Sequence, residues 1–443
     1  MTIKEVCQFF WSTEEKHQLL SPAQQQVWLP LRFSFYYFVT KEIGLFEKSS
    51  KEKISKVQKL KSSFTLLYYF LRFNPWLAPS KEEVLFPSSR KVKGIDIYSN
   101  DLMLEKQGRL VVIDSLFKGQ QLPNTYSFDY LYHLVSLYVT LVSKFSFLRR
   151  QELPFIRSAM NDFQKQFKLN RDKIQDHNFK LYLNFQIMEA IFYSYFRLKK
   201  FKRLYIVGAY FRMEIISAAK RAGVDVVELQ HGTITPYHLG YSYPGNPDIA
   251  YFPDELQCHG KFWYENTPMP SGTRFTIHPA NFITKLSSFR DRPTKHANEV
   301  VFNSQGVIGS QIFAFSYQTA KICPELKIIF RLHPNEDLGK YQKLLNDAGG
   351  EISNFSLSHR DPNIFALMAD AEYVAGAFST TLFEAMYMGS KIIVIDMTGV
   401  EYMEPVLQRG EAILVKTPED FKQNYKKAKI SDAEYYYAEK ASS

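Results

Sequence analysis

The sequence predicts an α/β protein of two Rossmann-like domains facing a central cleft, with extra N-terminal helices. Three observations predict it. Apolar runs of strand length alternate with helical periodicity twice, from Arg203 to Leu229 and from Val300 to Asp396. The 443 residues suffice for two or three domains. Several apolar runs also stop at small, polar or histidine residues, where an open parallel sheet binds its ligands.

Taken in order, Met1 to about Leu77 reads as helical and aromatic-rich, interrupted by the basic, polar stretch Lys51 to Lys61. Val84 to Phe86, stopped by Pro87, reads as a strand. Leu110 to Ile113 reads as another, closed by Asp114. Residues 126–200 carry apolar residues at helical spacing and predict long amphipathic helices. The period then changes. Arg203 to Val207 is a strand, Met213 to Ala222 a helix ended by Gly223, and Val224 to Leu229 the next strand, together a βαβ unit. Ser271 to Asn298 offers few element signals besides Gly272, Pro279 and Pro293, and reads as the crossing between lobes. Beyond it, Val300 to Asn303, Leu326 to Leu332, Tyr373 to Gly376 and Lys391 to Asp396 are strands. Helices run up to about Ile322, from Lys340 to Ala348, and from the Ala377–Thr381 turn to Gly389. The expected division is a Rossmann-like domain with helical additions over 1–285, a second Rossmann-like domain over 286–425, and a C-terminal tail or helix over 426–443.

With 45% hydrophobic and 23% charged residues, wholesale disorder is excluded. Three cysteines (Cys7, Cys258, Cys323) are too few for a disulfide framework and lack metal spacing, which fits a reducing compartment. Lys4 and Glu5 stand where the apolar part of a signal peptide would start. No run of about 18 apolar residues predicts a spanning helix. The nearest stretch, Tyr130 to Val142, reads as a buried helix. Residues 1–221 hold 35 Lys and Arg against 19 Asp and Glu, a net +16. Residues 222–443 hold 20 against 26, a net −6. A basic half suggests an anionic partner: a membrane surface, a nucleic acid or an acidic glycan. With no zinc finger, RNA-binding aromatic signature or long basic stripe, nucleic acid is not expected.

Three strand ends in the second half have phosphate chemistry. Ser304-Gln305-Gly306 offers backbone N–H groups beside a glycine. In Arg331-Leu332-His333-Pro334-Asn335 the proline stops the strand and holds His333 at the mouth of the sheet, where it can donate to a phosphate oxygen. Ser379-Thr380-Thr381 places hydroxyls and free N–H groups at a helix start, with Glu384 a turn later. In the first half, His231 follows a strand within Gln230-His231-Gly232-Thr233 and can take a proton from an attacking hydroxyl. Asp96, Asp114 and His238 are rival bases. Arg90, Asp96, Tyr210, Arg212 and His238 are candidate contacts to the acceptor. No Asp-x-Asp motif is present, so no metal is expected.

These residues carry a resemblance. From roughly Glu299 to Thr398 the chain is similar to the donor domain of GT-B glycosyltransferases. Arg331-Leu332-His333-Pro334 resembles the His-Pro motif of bacterial sialyltransferases, polysialyltransferases and Kdo transferases of capsule and lipopolysaccharide synthesis. Gly376-Ala377-Phe378-Ser379-Thr380-Thr381 resembles their Ser/Thr motif. The resemblance implies that His333 and the hydroxyls contact the phosphate of CMP. Gln230-His231-Gly232-Thr233 is similar to the His-Gly-Thr segment of teichoic-acid polyol-phosphate transferases, which implies a general base at His231. The chain departs from the first group in lacking an Asp/Glu-x-Gly motif in the first half. It departs from the second in carrying Ala377-Phe378-Ser379-Thr380 in place of Asp-Tyr-Ser-Ser.

The expectation is an inverting glycosyltransferase at the cytoplasmic membrane face. It would move a nonulosonic acid from a CMP-activated donor to a glycan or lipid-linked glycan acceptor, with no cofactor and with peripheral contact to anionic membrane. The alternatives are a CDP-polyol phosphotransferase, a UDP-hexose glycosyltransferase and a UDP-sugar 2-epimerase.

Overall fold

The computed structural model describes residues 1–45, 68, 70–88, 91, 95–115, 125–145, 156–278, 281–290 and 295–438. The described strands form two all-parallel sheets. The first contains β1 (Glu83–Phe86), β2 (Leu110–Ile113), β3 (Thr125–Tyr126), β4 (Arg203–Val207), β5 (Asp225–Leu229), β6 (Glu255–Cys258) and β7 (Arg274–Ile277), in the order β3-β2-β1-β4-β5-β6-β7. The second contains β8 (His296–Asn303), β9 (Lys327–Arg331), β10 (Phe355–Ser358), β11 (Ala371–Gly376), β12 (Lys391–Ile395) and β13 (Ala412–Val415), in the order β10-β9-β8-β11-β12-β13. Each order reverses once, between β1 and β4 and between β8 and β11. Open sheets form ligand crevices at such points, outside the carboxyl ends of the strands. Two doubly wound sheets with one cleft between them make the GT-B arrangement.

The strands form because they are apolar on both faces and helices cover both faces. Ile392, Ile393, Val394 and Ile395 are all fully buried. Under the first sheet lies the 29-residue helix Arg171–Lys199, whose Met188, Phe192, Tyr195 and Phe196 pack among Val84, Phe86, Val111, Leu204 and Ile206. Asn170 caps its start by accepting the Lys173 N–H, and Lys200, at φ +57°, ends it.

Helices Ile3–Lys16 and Gln25–Glu42 are fastened to the first lobe by a buried ion pair. Arg32 Nε lies 2.6 Å from Glu14 Oε1, and the same carboxylate oxygen takes the Trp28 indole N–H at 2.7 Å. The guanidinium also donates to the carbonyls of Leu239 and Ser242 and lies 4.0 Å from the centre of the Tyr243 ring. Every charge in this interior is therefore hydrogen-bonded, which offsets its desolvation. The same helices reach the second lobe, where Tyr36 and Tyr402 hydroxyls meet at 3.1 Å and Lys4 pairs with Glu404 at 2.9 Å. At the other end of the chain, helix Ala433–Tyr436 returns to the first lobe. The Tyr436 carbonyl accepts the Trp263 indole N–H and the Ala438 N–H donates to the His259 carbonyl, both at 2.8 Å, while Trp263 packs on Phe383 of the second lobe.

Two expectations are corrected. The crossing Ser271 to Asn298 contains edge strand β7 and helix Asn281–Arg290. β7 reads Arg-Phe-Thr-Ile and is largely exposed; it pairs with β6, and its Phe275 ring stacks on Tyr264 at 5.1 Å. The stretch Tyr130 to Val142 is a helix, Asp129–Val142, but only one face is buried, through Tyr130, Val135 and Val139. Leu134, Leu137, Tyr138 and Leu141 are 54–57% exposed. Lys51 to Lys61 lies outside the described residues. Among the described residues, no helix is long and apolar enough to cross a membrane.

Candidate active site

A cleft of about 980 Å³ lies between the lobes, walled by the residues that follow β4 and β5 on one side and β8, β9 and β11 on the other. It brings together His231, Tyr210, Arg212 and His238 of the first lobe with Ser304, Gln305, Gly306, His333, Pro334, Ser379, Thr380 and Thr381 of the second. Its described lining residues include no carboxylate. They hold three histidines and two arginines.

On the first-lobe side, Gly208 ends β4 at φ +76°, and a Cβ there would stand 3.5 Å from His231 Cε1. The left-handed turn is what calls for glycine, since a Cβ at that distance from the histidine ring would make only ordinary contact. The Tyr210 hydroxyl lies 3.2 Å from His231 Nε2, and the Tyr98 ring stands edge-on to the imidazole. Arg212 donates to the Pro87 carbonyl at 2.9 Å, so its guanidinium spans the β1–β4 reversal and lines the cleft. His238 Nδ1 accepts the Gly240 N–H at 3.2 Å. Burial, with His231 adding to it, lowers its pKa to about 3. The ring is therefore neutral with its proton on Nε2, and it is not suited to act as a base.

The structure removes two carboxylates from the expected roles. Asp96 is fully buried and accepts the Ser88 N–H (2.9 Å), the Tyr98 N–H (3.2 Å) and the Ser99 hydroxyl (2.6 Å). It shapes the loop after β1 and offers no surface to an acceptor. Asp114 pairs with Lys91 and lines a neighbouring cavity of about 290 Å³, outside the cleft. Arg90 lies outside the described residues. A third carboxylate, Glu228, escaped the sequence reading. It is fully buried, and its Oε1 accepts the Ala209 N–H at 3.0 Å and the Tyr241 hydroxyl at 2.7 Å. Burial pushes its carboxyl up to about 7. Glu228 holds the turn that carries Tyr210, directly and through Tyr241, whose ring meets that of Tyr210 edge-on at 5.1 Å. The signal was a lone acid inside the apolar run Val226 to Leu229.

On the second-lobe side three loops are tied together. Gln305 Oε1 accepts the Phe378 N–H at 3.0 Å, joining the loops after β8 and β11. Glu336 joins the loops after β8 and β9. Its Oε1 accepts from the Ser304 (3.0 Å) and Tyr341 (2.6 Å) hydroxyls, and its Oε2 accepts the His333 N–H at 2.7 Å. Gly306 has open space where a Cβ would stand, so its backbone faces the cleft bare. His333 is exposed, and its Nδ1 accepts the Asn335 N–H at 3.2 Å. The neutral ring therefore carries its proton on Nε2. Ser379 caps helix Thr380–Tyr387, and its Oγ accepts the Thr381 N–H (3.3 Å) and the Thr381 hydroxyl (2.8 Å). Thr381 Oγ1 in turn accepts from Asn303 Nδ2 at 3.2 Å. This chain of bonds fixes the direction of each hydroxyl and leaves the Ser379 O–H to be donated onward. The Thr380 N–H has no acceptor within the helix.

Two second-lobe residues went unassigned in the sequence. Arg331 ends β9 and lines the cleft, held by Ser358 Oγ and the Pro362 carbonyl, both 2.8 Å from Nη1. Asn303 ends β8 and orients Thr381. Both were hidden as the last residues of apolar strands. Glu384 is corrected. It does not line the cleft but sits beside Tyr437, where burial raises its carboxyl to about 7. Among the described residues, no three His, Cys, Asp or Glu side chains gather as a metal site.

No family model matches the chain, and no curated protein does. Solved structures resemble it at low identity. UDP-GlcNAc 2-epimerase from Neisseria meningitidis, bound to UDP-GlcNAc, is 12% identical with a TM-score of 0.44, covering 80% of this chain and 95% of that one. UDP-GlcNAc 2-epimerase from Methanocaldococcus jannaschii is 11% identical with a TM-score of 0.43, covering 78% and 91%. Acinetobacter baumannii MurG is 9% identical with a TM-score of 0.45, covering 78% and 90%. The fold assignment rests on the strand orders themselves.

Proposed function

We propose that the protein is a glycosyltransferase that moves a sugar from a nucleotide-activated donor to a hydroxyl acceptor within this cleft. The carrying observation is that one cleft without described carboxylates sets His231 and Tyr210 opposite His333, Arg331 and the Ser379–Thr381 helix start. Donors and cations on the second lobe suit a phosphate. The histidine on the first lobe suits an acceptor hydroxyl.

The reaction is a single displacement. His231 takes the acceptor O–H proton as the oxygen attacks the anomeric carbon. The bond from that carbon to the phosphate oxygen breaks, and its electrons leave with the nucleotide. His333 Nε2–H, the Ser379 hydroxyl and the Thr380 N–H receive the departing phosphate charge, and Arg331 adds long-range attraction. Attack on the face opposite the phosphate inverts the anomeric centre. The donor we favour is a CMP-linked nonulosonic acid, from the resemblance of the His333-Pro334 and Ser379–Thr381 segments. A UDP-sugar 2-epimerase is disfavoured, since epimerisation calls for carboxylates around the sugar. The step as written uses no metal, and a chelator leaves turnover unchanged.

A thermal-shift titration with CMP, CDP, UMP, UDP and GDP tests this reading. A nucleotide at about 100 times its Kd adds roughly 2.7 kcal/mol. A shift with a cytidine nucleotide that His333→Ala diminishes supports the proposal. A shift with UDP alone moves the donor to a UDP-sugar. No shift with any nucleotide refutes nucleotide-dependent transfer.

A further inference from the structure

We infer that the outer face of helix Asp129–Val142 is a docking surface for an anionic lipid bilayer. Leu134, Leu137, Tyr138 and Leu141 recur at i, i+3, i+4 and i+7 and form one stripe, each more than half exposed. From Tyr130 to Ser143 the chain carries no Asp, Glu, Lys or Arg, so beyond its first residue, Asp129, the helix has no acidic, lysine or arginine side chain. A contiguous apolar stripe on a water-exposed helix marks an interaction surface. The 14 residues span about 21 Å, too short to cross a hydrocarbon core of about 30 Å and suited to lie in the interface plane.

Charge selects the occupant. In the sequence, basic residues flank the stripe on both sides. Before the helix, Phe70 packs its ring on Tyr130 at 4.7 Å, with Leu71 exposed beside it and Arg72 following. The sequence that leads into Phe70, residues 46–67, holds six lysines against two glutamates. After the helix come exposed Lys144 and then Arg149 and Arg150. An apolar stripe between cationic ends fits acyl chains flanked by anionic headgroups. The helix also leads toward the cleft. Its first turn, Asp129 and Tyr132, lines the cavity of about 290 Å³, which shares Phe211 and Arg212 with the cleft. A bilayer seated on the stripe thus brings headgroup-attached saccharides to the acceptor side. The docking itself does not depend on what the cleft transfers.

The test is co-sedimentation of the full chain with vesicles of neutral phosphatidylcholine and of phosphatidylcholine with phosphatidylglycerol, at 50 and 500 mM salt, with light scattering of the free protein. The wild type is expected to pellet with anionic vesicles at least tenfold more strongly than with neutral ones, and less so at high salt. Leu137→Glu with Leu141→Glu removes this binding. Both positions face water, so thermal stability and any nucleotide-induced shift stay unchanged. Tyr138→Ser provides a milder second variant with the same direction. Equal pelleting with both vesicle types, or no pelleting, overturns the proposal. So does a wild-type dimer that Leu137→Glu dissociates. None of these outcomes bears on nucleotide binding, which is read separately.

Discussion

The Tyr210 hydroxyl lies 3.2 Å from Nε2 of His231, and the two rings stack at 29° with centroids 5.8 Å apart. The pair is held from behind, because the turn carrying Tyr210 hangs on Glu228. Tyr210→Phe keeps the stacking and removes the bond. A neutral hydrogen bond is worth about 0.5–1.5 kcal/mol, so turnover should fall about two- to tenfold with nucleotide affinity unchanged. Steady-state kinetics beside a nucleotide titration read the difference.

Replacing the histidine itself has a larger effect. General base catalysis contributes roughly 10²–10⁴-fold. His231→Ala should lose activity in that range and still shift thermally with nucleotide. An active His231→Ala enzyme would move the base elsewhere.

Ser379 has two tasks, and one substitution separates them. It caps helix Thr380–Tyr387 and lines the cleft with an O–H left to be donated to a ligand. Ser379→Ala should cost about 1 kcal/mol of stability, as lost caps do, and also weaken nucleotide binding. Ser379→Gly keeps the backbone favourable for capping, restores most of the stability and leaves nucleotide binding weak. Denaturant melts and nucleotide titrations on both variants check this.

The stability of the wild type should fall as pH rises through the range in which Glu228 titrates. Its ordinary value is 4.5, and burial raises it to about 7 in the folded chain. Between these values the folded form holds a proton that the unfolded form has released, so raising the pH favours unfolding. The loss is complete above about pH 7 and reaches at most about 3 kcal/mol. Glu228→Gln keeps the acceptor for Ala209 and Tyr241 without the charge. It should melt higher than wild type at pH 8 and close to it near pH 4.5.

Strands with continuous apolar runs, such as β4, β5, β9 and β12, were plain in the sequence because both their faces are covered. Those it did not reveal lie at or beside the sheet edges, β3, β6 and β7 in the first sheet and β10 and β13 in the second. β3 is two residues long, β6 reads Glu-Leu-Gln-Cys, and β7 is a largely exposed edge. The cleft was legible because strand ends are marked by abrupt changes of residue type, as at His231, His333 and Ser379. The carboxylates misled for a related reason. Asp96 and Asp114 read as following strands and Glu384 lies one turn into a helix, and sequence position does not distinguish an acid facing the cleft from one turned inward to bind Ser99 or Lys91. Glu228 shows the converse, an acid that acts on the site from inside the sheet.

The two ends of the described chain brace the lobes from different sides, through Tyr36 and Tyr402 at one and through Trp263, Tyr436 and Phe383 at the other. At the second brace the fit is tight, since a Cβ on Gly260 would lie 2.5 Å from the Tyr436 carbonyl oxygen. Lobes tied twice cannot swing far. Ligands therefore meet a preorganised cleft, with little reorganisation energy withdrawn from their affinity and little gating of their entry. Loosening the second brace would convert the protein from a fixed vise into a jaw.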